Sequence, residues 1–548
     1  MKKIISIMTL WLGTAVLGTS CSDVVDLTPS DRFSPETVWS TTETADSYLI
    51  GLYSIFGSNT EFYTGSYTSP KLTDAYSDIL KSTAWDKYNH NYNSSLFQEA
   101  AFNSNSAGAF ECWGAHYGRI RRENEFLKDA PSYGHKFGDD WLKIRIAEAR
   151  FCRAYAYFLL CRVYGGVILR TEVDGPAEND KARSTEAECW DFIITELKEL
   201  APDLPTEWDS DNLGRATQKS AYALLSRVAL YAERWDVAAQ AARDAEKAGG
   251  KLDLSGYGKV FTSGIDNPEI CFAVDFDSNI IKHSLDAYLR PSGDSELGKQ
   301  VYSGFAPTSE LVDSYEMADG TPFSWSTHGA DPYSNREPRF YATILYNGAS
   351  WMGRKIESYV GGKDGYKDYE NAGAAGTTVT GYYLRKYLTD GDKSWVTNDS
   401  GQYWILIRYA EVLLNKAEAL AMEDWSKHST EALKALNDVR SRVGLGARIT
   451  ADKDEFLKYV RHERMVELAG EGLRYWDLRR WRLAEEVIHD KNVHGVKITR
   501  QNDGSFTYEQ VDADGGHKRI FYERYYHFAI PLSERSNNKL CDNNTGWN

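Results

Sequence analysis

Apolar positions recur every three to four residues over several long stretches of the chain, the spacing of one helical face. Trp141 to Tyr164 shows it most strongly. Ile144, Ala147, Phe151, Ala154, Tyr155, Phe158 and Leu159 fall on helical spacing, and Gly165-Gly166 ends the run. Thr41 to Phe56 carries a stripe of Leu49, Ile50, Leu52, Tyr53 and Phe56, and Trp113 to Leu127 also reads as helix. Ser184 to Leu200 is a helix capped by Ser184 or Thr185, with acidic residues in its first turn. Thr217 to Ala248 holds two helices with a turn near Glu233-Arg234. Trp404 to Met422 and Thr430 to Val443 make a similar pair, and Asp454 to Ile488 returns to helix. Trp235, Ala238 and Ala245 sit where a tetratricopeptide repeat has its aromatic and small residues, which let paired helices approach closely. The match is partial: Ser226 replaces the usual Gly, and the closing Pro is absent.

Between Gly249 and Gln402 the pattern changes. Gly, Ser, Asp, Tyr and Trp are frequent and helical periodicity is weak. A stretch this long in a compact domain is expected to build a functional surface. From Val496 the chain reads as a β-hairpin, Val496 to Thr499 and Phe506 to Tyr508 flanking the turn Asn502-Asp503-Gly504. A last turn or short helix begins at Pro531 to Glu534. The expected fold is mostly α. Tetratricopeptide-like helix pairs (about 41–248 and 403–488) support an irregular, loop-rich ligand region (about 249–402), followed by a small C-terminal β-hairpin and tail (489–548).

The first residues bear on compartment. Met1-Lys2-Lys3 precedes an apolar run from Ile4 to Gly18, which stops at Gly18-Thr19-Ser20-Cys21. This is the layout of a secretory signal with a small-residue cleavage site, and the run is shorter than the ~20 residues a spanning helix needs. Cys21 after small residues resembles a lipobox of the looser Bacteroidetes type, with Gly18 where Leu is usual. That resemblance implies cleavage after residue 20, acylation of Cys21 and a tether over residues 21–40. Two or more acyl chains would anchor the protein without a spanning helix. The acidic residues Asp23 and Asp26 resemble the signal that sends such lipoproteins to the outer face of the outer membrane.

Composition narrows the partners. A net charge of −16 and a pI near 5.3 argue against nucleic acid, which requires clustered positive charge. Aromatic residues are 13% of the chain, with 35 Tyr and 16 Trp. Rings in polar surroundings suit sugar stacking, although rings also dominate core packing. None of the cysteines forms a C-x-x-C pair, and Cys152 and Cys161 on one helix are too far apart to bridge, so buried free thiols are expected.

Several segments together resemble the SusD/RagB family. They are the lipobox start, Ala147-Glu148-Ala149-Arg150-Phe151 through Val163-Tyr164-Gly165-Gly166-Val167, and Arg408-Tyr409-Ala410-Glu411-Val412-Leu413-Leu414 with Ala417-Glu418-Ala419. The most specific is His462-Glu463-Arg464 through Glu467-Leu468, Glu471-Gly472, Arg474, Trp476-Asp477-Leu478 and Arg480-Trp481. Ile530-Pro531-Leu532-Ser533-Glu534 also fits, and Asn543-Asn544-Thr545-Gly546-Trp547 is similar to the family's closing Asn-Pro-Gly-Tyr pattern, with Thr545 in place of Pro. The resemblance implies a nutrient-binding outer-membrane lipoprotein. It would sit as a lid on a SusC-like TonB-dependent transporter, deliver oligosaccharide or in some cases peptide, and require no cofactor.

No catalytic motif stands out. Glycosidase chemistry needs two carboxylates about 5 to 10 Å apart. Glu463, Glu467 and Glu471 would lie one helical turn apart, but Arg464, Arg474 and Arg480 are near, and the expected role is a structural ion network. His462-Glu463 lacks the second zinc-ligand His, since position 466 is Val. Asp512-Ala513-Asp514 fails the calcium-loop test at His517 and reads as a hairpin turn. For ligand binding, Trp85-Asp86-Lys87-Tyr88-Asn89-His90-Asn91-Tyr92-Asn93 interleaves rings with amides in a loop. Rings can cover the apolar faces of sugars while amides bond their hydroxyls. The candidates there are Trp85, Tyr88, Asn89 and Tyr92. By the family's arrangement the site also draws on the irregular middle, at Tyr288, Trp325, Trp351 and Tyr346. Alternative readings are a surface glycoside hydrolase and a helical-repeat scaffold that binds only protein.

Overall fold

The structure is a computed structural model that describes residues 34–57, 72–82, 96–175, 178–277, 282–297, 300–372, 376–391 and 400–547. Cys21 and the ring-rich loop with Trp85, Tyr88, Asn89 and Tyr92 lie outside the described residues.

Helix α1 (Thr42–Leu52) is capped by Thr41, and the short strand β1 (Leu80–Ser82) follows. Helices α2 (Trp113–Tyr133) and α3 (Asp139–Tyr164) pack along one another. Every residue of α3 from Phe151 to Tyr164 is buried, because α1, α2 and α4 (Glu186–Leu200) cover it on several sides. A helix buried all round must satisfy its charges internally. Arg145 donates to Asp46 at 2.7 Å, Glu148 accepts from Arg215 at 2.7 Å, and Arg153 donates to Glu196 at 2.6 Å. Helix α4 opens with a capping box in which Thr185 and Glu188 exchange side-chain and backbone hydrogen bonds.

Helices α5 (Gln218–Tyr231) and α6 (Trp235–Lys247) form the expected pair. Glu233 makes the turn at φ +56°. Ala238, Ala239, Ala241, Ala242 and Ala245 are buried, so α6 lies close against its neighbours. Strand β2 (Ile270–Val274) pairs antiparallel with β4 (Trp404–Arg408), and β3 (Phe305–Pro307) pairs with β1. The short helix α7 (Ser309–Ser314) follows β3 directly.

Trp404 to Arg408 corrects an expectation. The sequence pattern reads it as the start of a helix, but it is a strand, and helix α8 (Tyr409–Arg442) begins only after it. All five residues of β4 are buried, and the short apolar run from Trp404 to Ile407 carries no period that separates strand from helix. Within α8 the backbone leaves helical geometry at Asp424, which divides it where two helices are expected.

The expected helix from Asp454 to Ile488 is also broken. Helix α9 (Lys453–Glu467) ends before Gly470 and Gly472, both at φ +79°, and helix α10 (Arg474–Arg480) starts in a new direction. Asp74 accepts from the backbone N–H groups of Gly470, Gly472 and Arg474 at 2.9, 3.0 and 3.0 Å. Burial pushes its carboxyl up to about 6. A residue distant in sequence thus closes the turn that local pattern does not show.

Strands β5 (His494–Arg500) and β6 (Phe506–Asp512) form the C-terminal hairpin, with Gly504 at φ +85° in the turn. Asp514, just past the hairpin, is held by Lys81 at 3.0 Å and Arg519 at 2.8 Å, a structural role consistent with a turn. In the tail, Asn544 donates to the carbonyls of Tyr164 and Phe528 at 2.8 and 2.7 Å, and Trp547 Nε1 donates to that of His527 at 2.8 Å. The closing motif therefore pins the end of the chain onto α3. Most buried apolar side chains form one contiguous core running from Val38 to Trp547, and Ala372, Val379, Val493 and Ala513 form a small separate cluster. The six cysteines among the described residues are free and buried.

Candidate ligand surface

The acidic run of α9 is an internal ion seam. Arg408, at the end of β4, donates to Glu269 at 2.8 Å, Glu467 at 2.6 Å and Glu471 at 2.7 Å. Arg339 donates to Glu337 at 2.6 Å, Glu463 at 2.5 Å and Glu467 at 3.0 Å. Arg440 takes the second oxygen of Glu463 at 3.0 Å, Arg442 donates to both Glu269 and Glu467, and Lys386 donates to Glu471 at 2.8 Å. Burial raises the Glu467 carboxyl, but Arg442, Arg408 and Arg339 outweigh it and hold the group well below the usual carboxylate range. The structural role expected of these glutamates holds. The partners differ from those expected: none of Arg464, Arg474 and Arg480 pairs with them. Arg464 and Arg480 share Asp477, and Arg474 bonds Asp78. Helical spacing cannot reveal partners that arrive from other elements.

The rings of the irregular region separate into two kinds. Tyr288 and Trp351 are both 0% exposed, which corrects their expected place on a ligand surface. Tyr288 packs 4.6 Å from the ring of Tyr302 and against the backbone of Gly304, where an added Cβ would come within 2.5 Å of it. Trp351 donates its indole N–H to Asp294 at 3.1 Å, and Arg354 bonds the same carboxylate at 2.9 Å. Both sit in the core because apolar neighbours and a buried hydrogen-bond network surround them.

Trp325 differs. It is half-buried on a short helix (Trp325–His328), and its indole N–H donates to Asp313 of α7 at 2.8 Å. Burial pushes the Asp313 carboxyl up to about 6. Phe323 meets the Trp325 ring edge-on at 5.5 Å, and Tyr508 of β6 lies 5.9 Å away. Tyr508 in turn is 5.8 Å from Tyr333, and Tyr333 is 4.7 Å from the half-buried Tyr346. The result is a group of partly open rings, Trp325, Tyr508 and Tyr346, the last two joined through the buried Tyr333, with the exposed Asp331 near Tyr508 and Tyr346. Such a group can lie against the C–H face of a sugar while carboxylates accept from its hydroxyls.

Sequence reasoning missed Tyr508 and Phe323. A signal for Tyr508 existed: Phe506 and Tyr508 alternate with polar residues along β6, which places both on one face of the hairpin. What the pattern could not tell is that this face turns toward Trp325.

Comparison with known proteins agrees with this architecture. Residues 268–547 match the model of the SusD family, and residues 25–230 match one described as starch-binding associating with outer membrane. A SusD-like protein, P38, from Formosa agariphila is 26% identical over 526 residues, covering 89% of this chain and 94% of that protein. Among solved structures, a SusD-like protein from Bacteroides fragilis superposes with a TM-score of 0.79 at 28% identity, covering 93% of this chain and 98% of that one. A second from the same species, described as a SusD-like carbohydrate binding protein, gives 0.76 at 26% identity, with 92% and 100% covered. With one family model spanning more than half of the chain and relatives alike over nearly its full length, the protein belongs to the SusD/RagB family.

Proposed function

We propose that the protein captures an oligosaccharide or polysaccharide at the cell surface and passes it to a SusC-like TonB-dependent transporter without altering it. The observation that carries this reading is the family membership, which spans both halves of the chain. The carbohydrate-binding description of one Bacteroides fragilis relative supports it. So does the half-open ring group of Trp325, Tyr508 and Tyr346. Trp85, Tyr88, Asn89 and Tyr92 are proposed to complete the site from the N-terminal side. Binding without turnover also suits the state of Glu463, Glu467 and Glu471, whose charges are engaged by arginine and lysine inside the protein. Anchoring to the outer membrane is assigned to an acylated Cys21, with the domain (residues 41–548) facing outward; no helix among the described residues is long and apolar enough to span a membrane.

Affinity electrophoresis of the mature chain, Ser22 onward, against plant, host and microbial polysaccharides tests the reading. Retardation by one glycan, lost in a Trp85→Ala, Tyr88→Ala double variant, is the expected outcome. Release of reducing sugar from that glycan by the wild-type protein would contradict it. Palmitate labelling that depends on Cys21, and co-purification of a large barrel protein from outer membranes, test the anchoring and hand-over.

A further inference from the structure

A cavity of about 540 Å³ opens on elements that the aromatic group does not use. Parts of α3, α4, α5 and α10 line it, together with the segment around Tyr526-His527. The protein carries a net charge of −16, yet five arginines line this cavity against two glutamates. Local charge here opposes that of the whole molecule.

Some of these charges are engaged. Arg480 pairs with Glu418 and Asp477, Arg234 pairs with Asp191, and the exposed Arg482 pairs with Glu523 at 3.0 Å. Glu186 accepts from Trp190 Nε1 at 3.1 Å and pairs with His527 at 3.1 Å, while Glu233 stands exposed. Arg479 is different. It is 5% exposed, and its Nη2 donates to the Tyr526 carbonyl at 2.5 Å. Its Nε and Nη1 have no hydrogen-bond partner among the described residues. Buried donors left without an acceptor are costly, and more so on a charged group, so a partner from outside the chain would offset that cost.

The surroundings favour an anion with a flat or ring-shaped body. The Arg162 guanidinium stacks 3.9 Å over the Trp476 ring, and Arg479 lies 4.9 Å from the same ring. Trp190 and Tyr231 add further aromatic wall. Arg482, its side chain 57% exposed, lies over Tyr526 at 4.2 Å and lines the opening. Burial draws the Arg162 guanidinium down to about 9 and lowers that of Arg479, and a bound anion would favour the charged form of both.

The geometry points to a second ligand site, in which Arg479 and Arg162 hold the oxyanion group of a small ligand, a sulfate, phosphate or carboxylate, with Arg482 at its entrance. Nε and Nη1 of Arg479 are sealed from the cavity beneath the rings of Tyr475, Trp476 and Phe528, so binding requires the guanidinium to turn toward the cavity; the anion then accepts from them, and any ring attached to it rests on Trp190 or Tyr231. The site does not depend on glycan capture at Trp325, and the two can fail separately.

Isothermal titration of the mature chain at constant ionic strength tests this, with sodium sulfate, sodium phosphate, D-glucuronate and glucose 6-sulfate as probes and glucose as the uncharged control. Saturable one-to-one binding of at least one anion, with no binding of glucose, is expected. Arg479→Gln should weaken it by roughly ten-fold or more, and the exposed-rim change Arg482→Glu should also weaken it. Trp325→Ala should leave it unchanged. Binding of the inorganic ions would assign the site to a free anion, and binding of only the acidic sugars would assign it to a charged sugar; both support the proposal. Saturable binding by none of the anions overturns it, as does wild-type affinity in both arginine variants. If circular dichroism shows that Arg479→Gln does not fold, the wild-type titration and Arg482→Glu decide the matter.

Discussion

Trp325 and Trp351 come from the same irregular stretch, and each gives its indole N–H to an aspartate. Their surroundings make them opposites. Asp294, which receives Trp351, also bonds Arg354 and Arg290, and the ring is sealed from solvent. Asp313, which receives Trp325, has its other oxygen without a partner among the described residues, and the ring stays partly open beside Phe323 and Tyr508. The comparison teaches that a tryptophan in a polar, glycine-rich stretch says little about binding. What decides is whether neighbouring elements close over the ring.

The largest effects should come from the sealed interior. Arg408→Ala leaves three buried carboxylates short of a partner and should cost about 3–5 kcal/mol in chemical denaturation. Trp351→Ala removes a fully buried indole and should cost about 3–5 kcal/mol, with glycan binding per folded molecule unchanged. A loss of binding in folded Trp351→Ala would break the distinction between the two tryptophans. Trp325→Ala should reverse the pattern, costing about 1 kcal/mol in stability while removing most of the retardation by glycan. Tyr508→Ala should give a partial version of the same loss. Equal retardation of wild type and Tyr508→Ala would remove the hairpin from the surface.

The last effect is a pH dependence. Burial raises Asp313 from 3.8 to about 6 in the folded protein. A carboxyl raised on folding contributes stability that is fully present below its unfolded value and is lost as pH rises through the folded one. The wild type should therefore gain in melting temperature relative to Asp313→Asn as pH falls from 7 to 4. A constant difference across that window would contradict the buried, partly satisfied state of Asp313.

The helical scaffold was legible because its periodicity is long. Residues 141–164 carry enough turns for the apolar face to show, and Thr185 announces the start of α4 by its own chemistry. Trp404 to Arg408 was not legible as a strand because four consecutive apolar residues, Trp404 to Ile407, have no readable period. The break at Gly470 and Gly472 depends on Asp74, about 400 residues away in sequence, so no local window contains its cause. The charge seam was legible in role but not in partners, since Arg339, Arg408, Arg440 and Arg442 reach α9 from other elements. Of the ring candidates, the pattern distinguished neither Tyr288 nor Trp351 from Trp325, because burial of a side chain in an irregular region is set by tertiary packing. Tyr508 needed the hairpin to be placed before its neighbour could be known.

The most direct test of the central claim is a calorimetric titration with the glycan that affinity electrophoresis selects, run on the wild type, Trp325→Ala and Trp351→Phe. The account predicts saturable binding by the wild type and by folded Trp351→Phe, at least ten-fold weaker binding by Trp325→Ala, and no change in the glycan itself. Undiminished binding by Trp325→Ala, or binding lost only in Trp351→Phe, would contradict the surface proposed here.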